Sequence, residues 1–170
     1  KLNGLHILLT YQCTYECDHC FVWGSPRQNG TLTIEQVEQI LAQARDAQVK
    51  SIYFEGGEPF LYHPILVKCV HTAADMGFSV GIVSNAYWAN SVADAVEWLR
   101  PLAGRLEDFT VSSDLYHCDE CLGERPQNAL VAAKWLNIPT GLISIAQPDV
   151  DAEQTHGQLT GEGSVMYRGR

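Results

Sequence analysis

The sequence predicts an α/β chain in which parallel strands alternate with helices, arranged as an open sheet or a barrel. Three observations carry that prediction. Short apolar runs alternate with amphipathic stretches through most of the chain. Helix-start signals stand where the amphipathic stretches begin. Residues suited to metal or polar chemistry fall just after the apolar runs, at the carboxyl ends of the strands, where α/β folds gather their sites.

In chain order, residues 5–11 (LHILLTY) read as a first strand. Thr33-Ile34-Glu35-Gln36 is a capping box opening a helix whose Ile34, Val37, Ile40, Leu41 and Ala44 share one face. Residues 51–54 read as a second strand, followed by Gly56-Gly57-Glu58-Pro59. His63-Pro64 then places a proline in the first turn of a second helix, with Ile65, Leu66, Cys69, Val70 and Ala73 behind it. Residues 78–84 and a helix over about 91–102 make a third unit, and residues 109–112 with a helix over about 127–136 make a fourth. Residues 141–146 are a fifth strand.

The 170 residues are one domain's length, so the expectation is a single domain over 1–170. From 148 to 164 the chain is polar and Gly-rich without periodicity, and a sixth strand begins near 165 with no sixth helix behind it. The fold therefore reads as incomplete at its C-terminus, with missing or disordered segments expected after about 117 and 150 and beyond 170. Eleven Lys and Arg against twenty Asp and Glu leave a formal charge of -9, which disfavours nucleic acid and anionic membrane as partners. No run of eighteen apolar residues and no signal-peptide pattern is present, so a soluble, cytoplasmic protein is expected.

Six cysteines stand at 13, 17, 20, 69, 118 and 121. Three disulfides would suit a shorter, secreted and more Cys-rich chain, so a metal or cluster site in a reducing compartment is the expectation. Cys13-Thr14-Tyr15-Glu16-Cys17-Asp18-His19-Cys20 offers three soft thiolates at a spacing that wraps a zinc ion or an iron-sulfur cluster. A structural zinc site closes with four protein ligands, and His19, wedged between Cys17 and Cys20, could hardly join them on one ion. A [4Fe-4S] cluster on three cysteines would leave one iron open. On spacing alone, zinc and cluster both stand.

The C-x3-C-x2-C loop after the first strand, with His19 just before the last Cys and Gly-Gly-Glu-Pro after the second strand, resembles the radical S-adenosylmethionine (SAM) superfamily. The similarity spans roughly residues 4–147. It implies a partial (β/α)6 TIM-like barrel. It also implies a [4Fe-4S] cluster on Cys13, Cys17 and Cys20, with SAM chelating the fourth iron. Reductive cleavage of SAM would give a 5'-deoxyadenosyl radical that abstracts hydrogen from an unidentified substrate. An external donor such as flavodoxin or ferredoxin would supply the electron. In Gly56-Gly57-Glu58-Pro59 the glycines would admit backbone close to the methionine moiety, and the Glu58 carboxylate could accept from its amino group. Ser84-Asn85-Ala86 is similar to the family's third-strand Thr-Asn-Gly. Ser112 and Asp114 are similar to its fourth-strand contacts with the SAM ribose and carboxylate. His19 and Phe21 could pack near adenine. Gly141-Leu142-Ile143-Ser144-Ile145 departs from the fifth-strand pattern, since Ile145 replaces a glycine.

Other residues are read without the resemblance. His117 would face the same rim and could orient or deprotonate substrate, or be a loop histidine without a role. Arg168 could bind a carboxylate, or be a solvated terminal Arg. Cys118 and Cys121 could serve an auxiliary cluster or zinc site, form a redox disulfide, or abut across a closed gap. Cys69 reads as a core residue. Trp98 and Trp135 read as helix packing, while Trp23 and Trp88 could line a pocket near the rim. The alternatives to a radical SAM enzyme acting on its own substrate are a non-catalytic zinc or iron-sulfur electron-transfer module, and an activase or maturase acting on a partner protein or peptide.

Overall fold

The computed structural model describes residues 2–17, 20–112 and 123–143. Five strands, β1 (Gly4–Thr10), β2 (Ser51–Gly56), β3 (Ser79–Ser84), β4 (Asp108–Ser112) and β5 (Thr140–Ile143), lie side by side in chain order. Every neighbouring pair is parallel. The helices α1 (Ile34–Asp46), α2 (His63–Asp75), α3 (Val92–Leu99) and α4 (Glu124–Trp135) occupy the connections. Because each unit adds its strand one place further in the same direction, the sheet grows as a barrel wall does, whereas a doubly wound sheet reverses at a switch point. The α/β class and the partial-barrel reading hold. The expected strand near 165, and residues 144–146 of the fifth, lie outside the described residues.

Local sequence explains most boundaries. The Thr33 hydroxyl accepts from Gln36 N at 3.2 Å and Gln36 Oε1 accepts from Thr33 N at 2.8 Å, completing the predicted capping box of α1. Ser91 Oγ accepts from Asp94 N at 3.1 Å to open α3. The helix expected over about 91–102 is two pieces, because Pro101 brings no N–H to an α ladder. Arg100–Leu102 is accordingly a 3-10 turn. A second 3-10 turn, Pro59–Tyr62, stands between β2 and α2.

Alternation then sorts the two faces of the sheet. Ile7, Leu9, Ile52, Phe54, Val80, Ile82, Phe109 and Val111 are buried together with Leu41, Leu66, Val70, Leu99 and Ala132 of the helices. Each large apolar side chain so buried contributes about 1.5–3 kcal/mol. The opposite face is polar. His6, Tyr53, Gly81 and Asp108 occupy one row across β1 to β4. The His6 ring stacks on Tyr53 at 5.0 Å, and its Nδ1 lies 2.6 Å from Glu55 Oε1. A side chain at Gly81 would run into the Tyr53 ring. Thr110 donates to Asp108 at 2.7 Å.

Two tryptophans differ from the sequence reading. Trp88, expected near the rim, is 2% exposed and stacked on Phe60 at 4.4 Å, so it belongs to the core. Trp135, expected to pack, is 68% exposed at the end of α4. Trp98 packs against the core and Cys69 is buried in it, as expected. Among the described residues, no helix is long and apolar enough to cross a membrane.

Candidate functional site

After β1 the chain makes a loop that returns beside its own start. Gln12 bridges Ser25, Cys13 N donates to Ser25 O at 3.1 Å, and Ser25 N donates to Tyr11 O at 3.2 Å. Between these anchors, Cys20 N donates to Cys17 O at 3.1 Å and Trp23 N to Cys20 O at 3.3 Å. Cys13, Cys17 and Cys20, half-buried free thiols, all lie on this loop. Among the described residues, no three Cys, His, Asp or Glu side chains converge on a point that would hold a single metal ion.

Burial pushes the Cys13 thiol up to about 11, the Tyr15 N–H works against that rise, and negative charge on Glu58, Cys17 and Cys20 adds to it. Three N–H groups nevertheless aim at the sulfurs. Tyr15 N lies 3.5 Å from Cys13 Sγ, Asn85 Nδ2 also 3.5 Å from Cys13 Sγ, and Gly24 N 3.3 Å from Cys20 Sγ. Such donors favour thiolate, the form that ligates metal, so the donor set fits an iron-sulfur group. Trp23 adopts left-handed backbone (φ 57°), unusual for a bulky side chain, in the turn that brings Gly24 N onto Cys20.

The Gly56-Gly57-Glu58-Pro59 segment meets this loop directly. Gly57 N donates to Thr10 O at 2.7 Å and Glu58 N to Gln12 O at 2.8 Å, carrying the β1–β2 pairing beyond the register shift near Thr10. The glycines are required here by the protein's own backbone. Gly56 has φ 141°, and a side chain there would strike Thr10 O, while one at Gly57 would strike Gln12 O. A Cβ on Gly24 would come within 3.2 Å of both Cys13 Cβ and Gly57 Cα, so loop and glycines form one junction. Gly57→Ala is expected to cost about 3 kcal/mol, the scale of a forced backbone shift in a packed site, read as a lowered urea midpoint at unchanged m-value.

Glu58 lies buried just past the end of β2. The residue is 0% exposed. The carboxylate accepts from Phe60 N at 3.0 Å, from Ser84 Oγ at 3.0 and 3.2 Å, and from Asn85 N at 2.7 Å. It thus pins the end of β2 to the end of β3. Ser84, 2% exposed, also accepts from Ala86 N at 3.0 Å and Trp88 Nε1 at 3.1 Å. Ala86, where the resembling motif has Gly, adopts φ 58°, which explains why that motif favours glycine. Pro59 is buried, and Ser112 is half-buried at the end of β4, opposite Ile143.

His19, Asp114, His117, Cys118, Cys121 and Arg168 lie outside the described residues. Phe21, proposed to pack near adenine, is 68% exposed. The sequence reading missed Thr14, Gln12 and Tyr62. Thr14 Oγ1 accepts from Asn85 Nδ2 at 3.0 Å, and Gln12 Oε1 accepts from the Tyr62 hydroxyl at 2.8 Å. No periodicity or spacing marks these residues, because their partners are 50 or more positions away.

The chain matches the radical SAM superfamily over residues 7–115. It is 37% identical over 149 residues to the PqqA peptide cyclase of Streptomyces rochei, covering 85% of this chain and 38% of that one. It is 26% identical over 113 residues to YydG of Bacillus subtilis, named for peptide biosynthesis, covering 65% of this chain and 35% of the relative. A GTP 3',8-cyclase of Saccharolobus islandicus is 29% identical over 93 residues, covering 54% of this chain and 30% of its own. In fold, the chain is similar to Streptococcus suis SuiB bound to its precursor peptide SuiA, with a TM-score of 0.62 at 23% identity, over 80% of this chain and 30% of SuiB. The chain thus spans 30–38% of the length of these relatives.

Proposed function

This chain belongs to the radical SAM superfamily, and from that premise we propose that it is the core of an enzyme that cleaves S-adenosylmethionine at a [4Fe-4S] cluster to modify a peptide. The observation that carries this reading is the three-thiol loop with N–H groups aimed at its sulfurs, braced against the Gly56–Pro59 segment. When bound, the reduced cluster supplies one electron that splits the sulfonium carbon–sulfur bond of SAM, leaving a 5'-deoxyadenosyl radical able to take hydrogen from a substrate.

The chain's own residues hold and orient. Cys13, Cys17 and Cys20 would ligate three irons and leave the fourth without a protein ligand. The half-buried backbone of Gly56 and Gly57, beside the cysteine loop, is assigned to the methionine end of SAM, with Glu58 and Pro59 buried behind it. Ser112 at the end of β4, with Asp114 and His19, is assigned to the rest of SAM, and His117 to the substrate. Cys118 and Cys121 are assigned to a site apart from this cluster. A flavodoxin or ferredoxin would deliver the electron in the cytoplasm, whose reducing poise suits the free thiols.

Peptide is favoured over nucleotide as the substrate class. The relative with the highest identity among those above acts on a peptide by its name. The polar face of the sheet carries Glu55 and Asp108 in a chain of net charge -9, which repels the polyphosphate of a nucleotide.

Anaerobic reconstitution tests the reading. Expected are roughly four irons and four sulfides per chain, and 5'-deoxyadenosine once SAM and a reductant are added. Uptake of zinc alone, or a reducible cluster that yields no 5'-deoxyadenosine, would sink it. A co-expressed peptide partner should change mass only when the three cysteines are intact, whereas turnover of GTP would overturn the substrate class.

A further inference from the structure

Asn85 sits where β3 ends and is 8% exposed. Its side-chain oxygen accepts from Tyr87 N at 3.0 Å. A backbone N–H can only donate, so that contact fixes which end of the amide is oxygen. Nδ2 is thereby directed at Cys13 Sγ, 3.5 Å away, and at Thr14 Oγ1, 3.0 Å away. An amide nitrogen has two hydrogens, enough for both acceptors.

The amide is also held from behind. Asn85 N donates to Glu58 Oε2 at 2.7 Å, Glu58 takes the Ser84 hydroxyl, and Ser84 is fixed in turn by the Trp88 indole N–H. Trp88 and Ser84 are 2% exposed and Glu58 0%, so none of these partners has water as an alternative. The side chain over Cys13 is therefore set in place before any ligand arrives.

We propose that Asn85 sets how readily the cluster is reduced, by donating a hydrogen bond from Nδ2 to Cys13 Sγ while that sulfur ligates iron. The inference rests on the cluster-binding reading above and adds a tuning role for one residue. In the reduction, [4Fe-4S]2+ takes one electron from an external reductant and becomes [4Fe-4S]1+. No proton moves and no bond forms or breaks. The added negative charge spreads over irons and sulfurs, and an N–H dipole at a ligand sulfur stabilises it, raising the potential. Glu58 acts in the opposite sense, since its buried carboxylate, accepting from the Asn85 backbone N–H, places negative charge behind the amide. Asn85 stands between the two, bonded to the carboxylate by its backbone and to the sulfur by its side chain. The amide thus offsets the charge that anchors it.

The experiment is a redox titration of the reconstituted protein without SAM, followed by the paramagnetic resonance of the reduced cluster. Asn85→Ala is expected to make reduction roughly tenfold less favourable, about 59 mV more negative for a one-electron couple. Asn85→Asp, which keeps the shape but removes the donor and adds charge, should shift further the same way. A potential within about twofold of wild type in equilibrium constant, with the cluster intact, overturns the inference. So does lost SAM cleavage at an unchanged potential, which would place Asn85 on SAM instead. Should the variants fail to fold, wild-type protein labelled with 15N-asparagine decides. Electron-nuclear double resonance should show an exchangeable proton and an asparagine nitrogen coupled to the cluster, and their absence overturns the proposal. A wild-type protein that takes up no cluster overturns the functional reading as well, so the two failures are distinguishable.

Discussion

Cys17→Ala is expected to leave a folded protein that retains no [4Fe-4S] cluster and forms no 5'-deoxyadenosine above background. Two thiolates cannot hold three irons, and the chemistry resides in the cofactor. The fold should survive because the loop is closed by backbone contacts that the substitution leaves in place. Cys20 N still meets Cys17 O, and Cys13 N still meets Ser25 O. Iron content, the visible absorbance of the cluster and 5'-deoxyadenosine yield should therefore fall together, while the far-ultraviolet circular dichroism and Tm stay near wild type. Cys118→Ala is the matching control and should keep both cluster and SAM cleavage. A Cys17→Ala protein that still assembles the cluster, or a Cys118→Ala protein that loses it, would refute this division of the cysteines.

Glu58→Ala should be the most destabilising single change at the site, by about 4 kcal/mol. The substitution deprives Phe60 N, Asn85 N and the Ser84 hydroxyl of their acceptor in a place water does not reach. Two orphaned buried N–H groups at about 1–3 kcal/mol each account for most of the loss. The cavity left by the side chain adds the remainder. For a chain of this size that corresponds to a fall in Tm of roughly 12 °C. Glu58→Gln should lie between, since it keeps the volume and one acceptor but turns an NH2 towards groups that themselves donate. Equilibrium unfolding of the three proteins checks the order. A loss below about 1 kcal/mol for Glu58→Ala would mean that the carboxylate is not the link between β2 and β3 described above.

Much of the fold was legible because its signals are local. The capping box at Thr33, the proline after His63 and the apolar runs of five strands each depend on residues within a few positions of one another. The failures were local patterns overruled by neighbours. A helix drawn through Pro101 breaks there, Trp135 satisfies a helical pattern yet stands in solvent, and Trp88 looks like a loop residue yet fills the space against Phe60. Of the site, the three cysteines were legible from their spacing. The Gly56-Gly57 pair was legible as a motif, but that the backbone of Thr10 and Gln12 also requires glycine there is a contact only the fold shows.

The sequence by itself determined the order of the βα units, the place of the thiols at the end of the first strand, and the family to which the chain belongs. The first two follow from period and spacing, and the family from the resemblance of the cysteine loop and the Gly-Gly-Glu-Pro segment to a known superfamily. Only the tertiary structure decided that Glu58 faces inward and that the Asn85 amide faces a cysteine sulfur. The partners in those contacts are 26 and 72 residues apart. A buried donor must find an acceptor, but which acceptor it finds depends on how strand ends come together, and no pattern in either segment records the approach of the other.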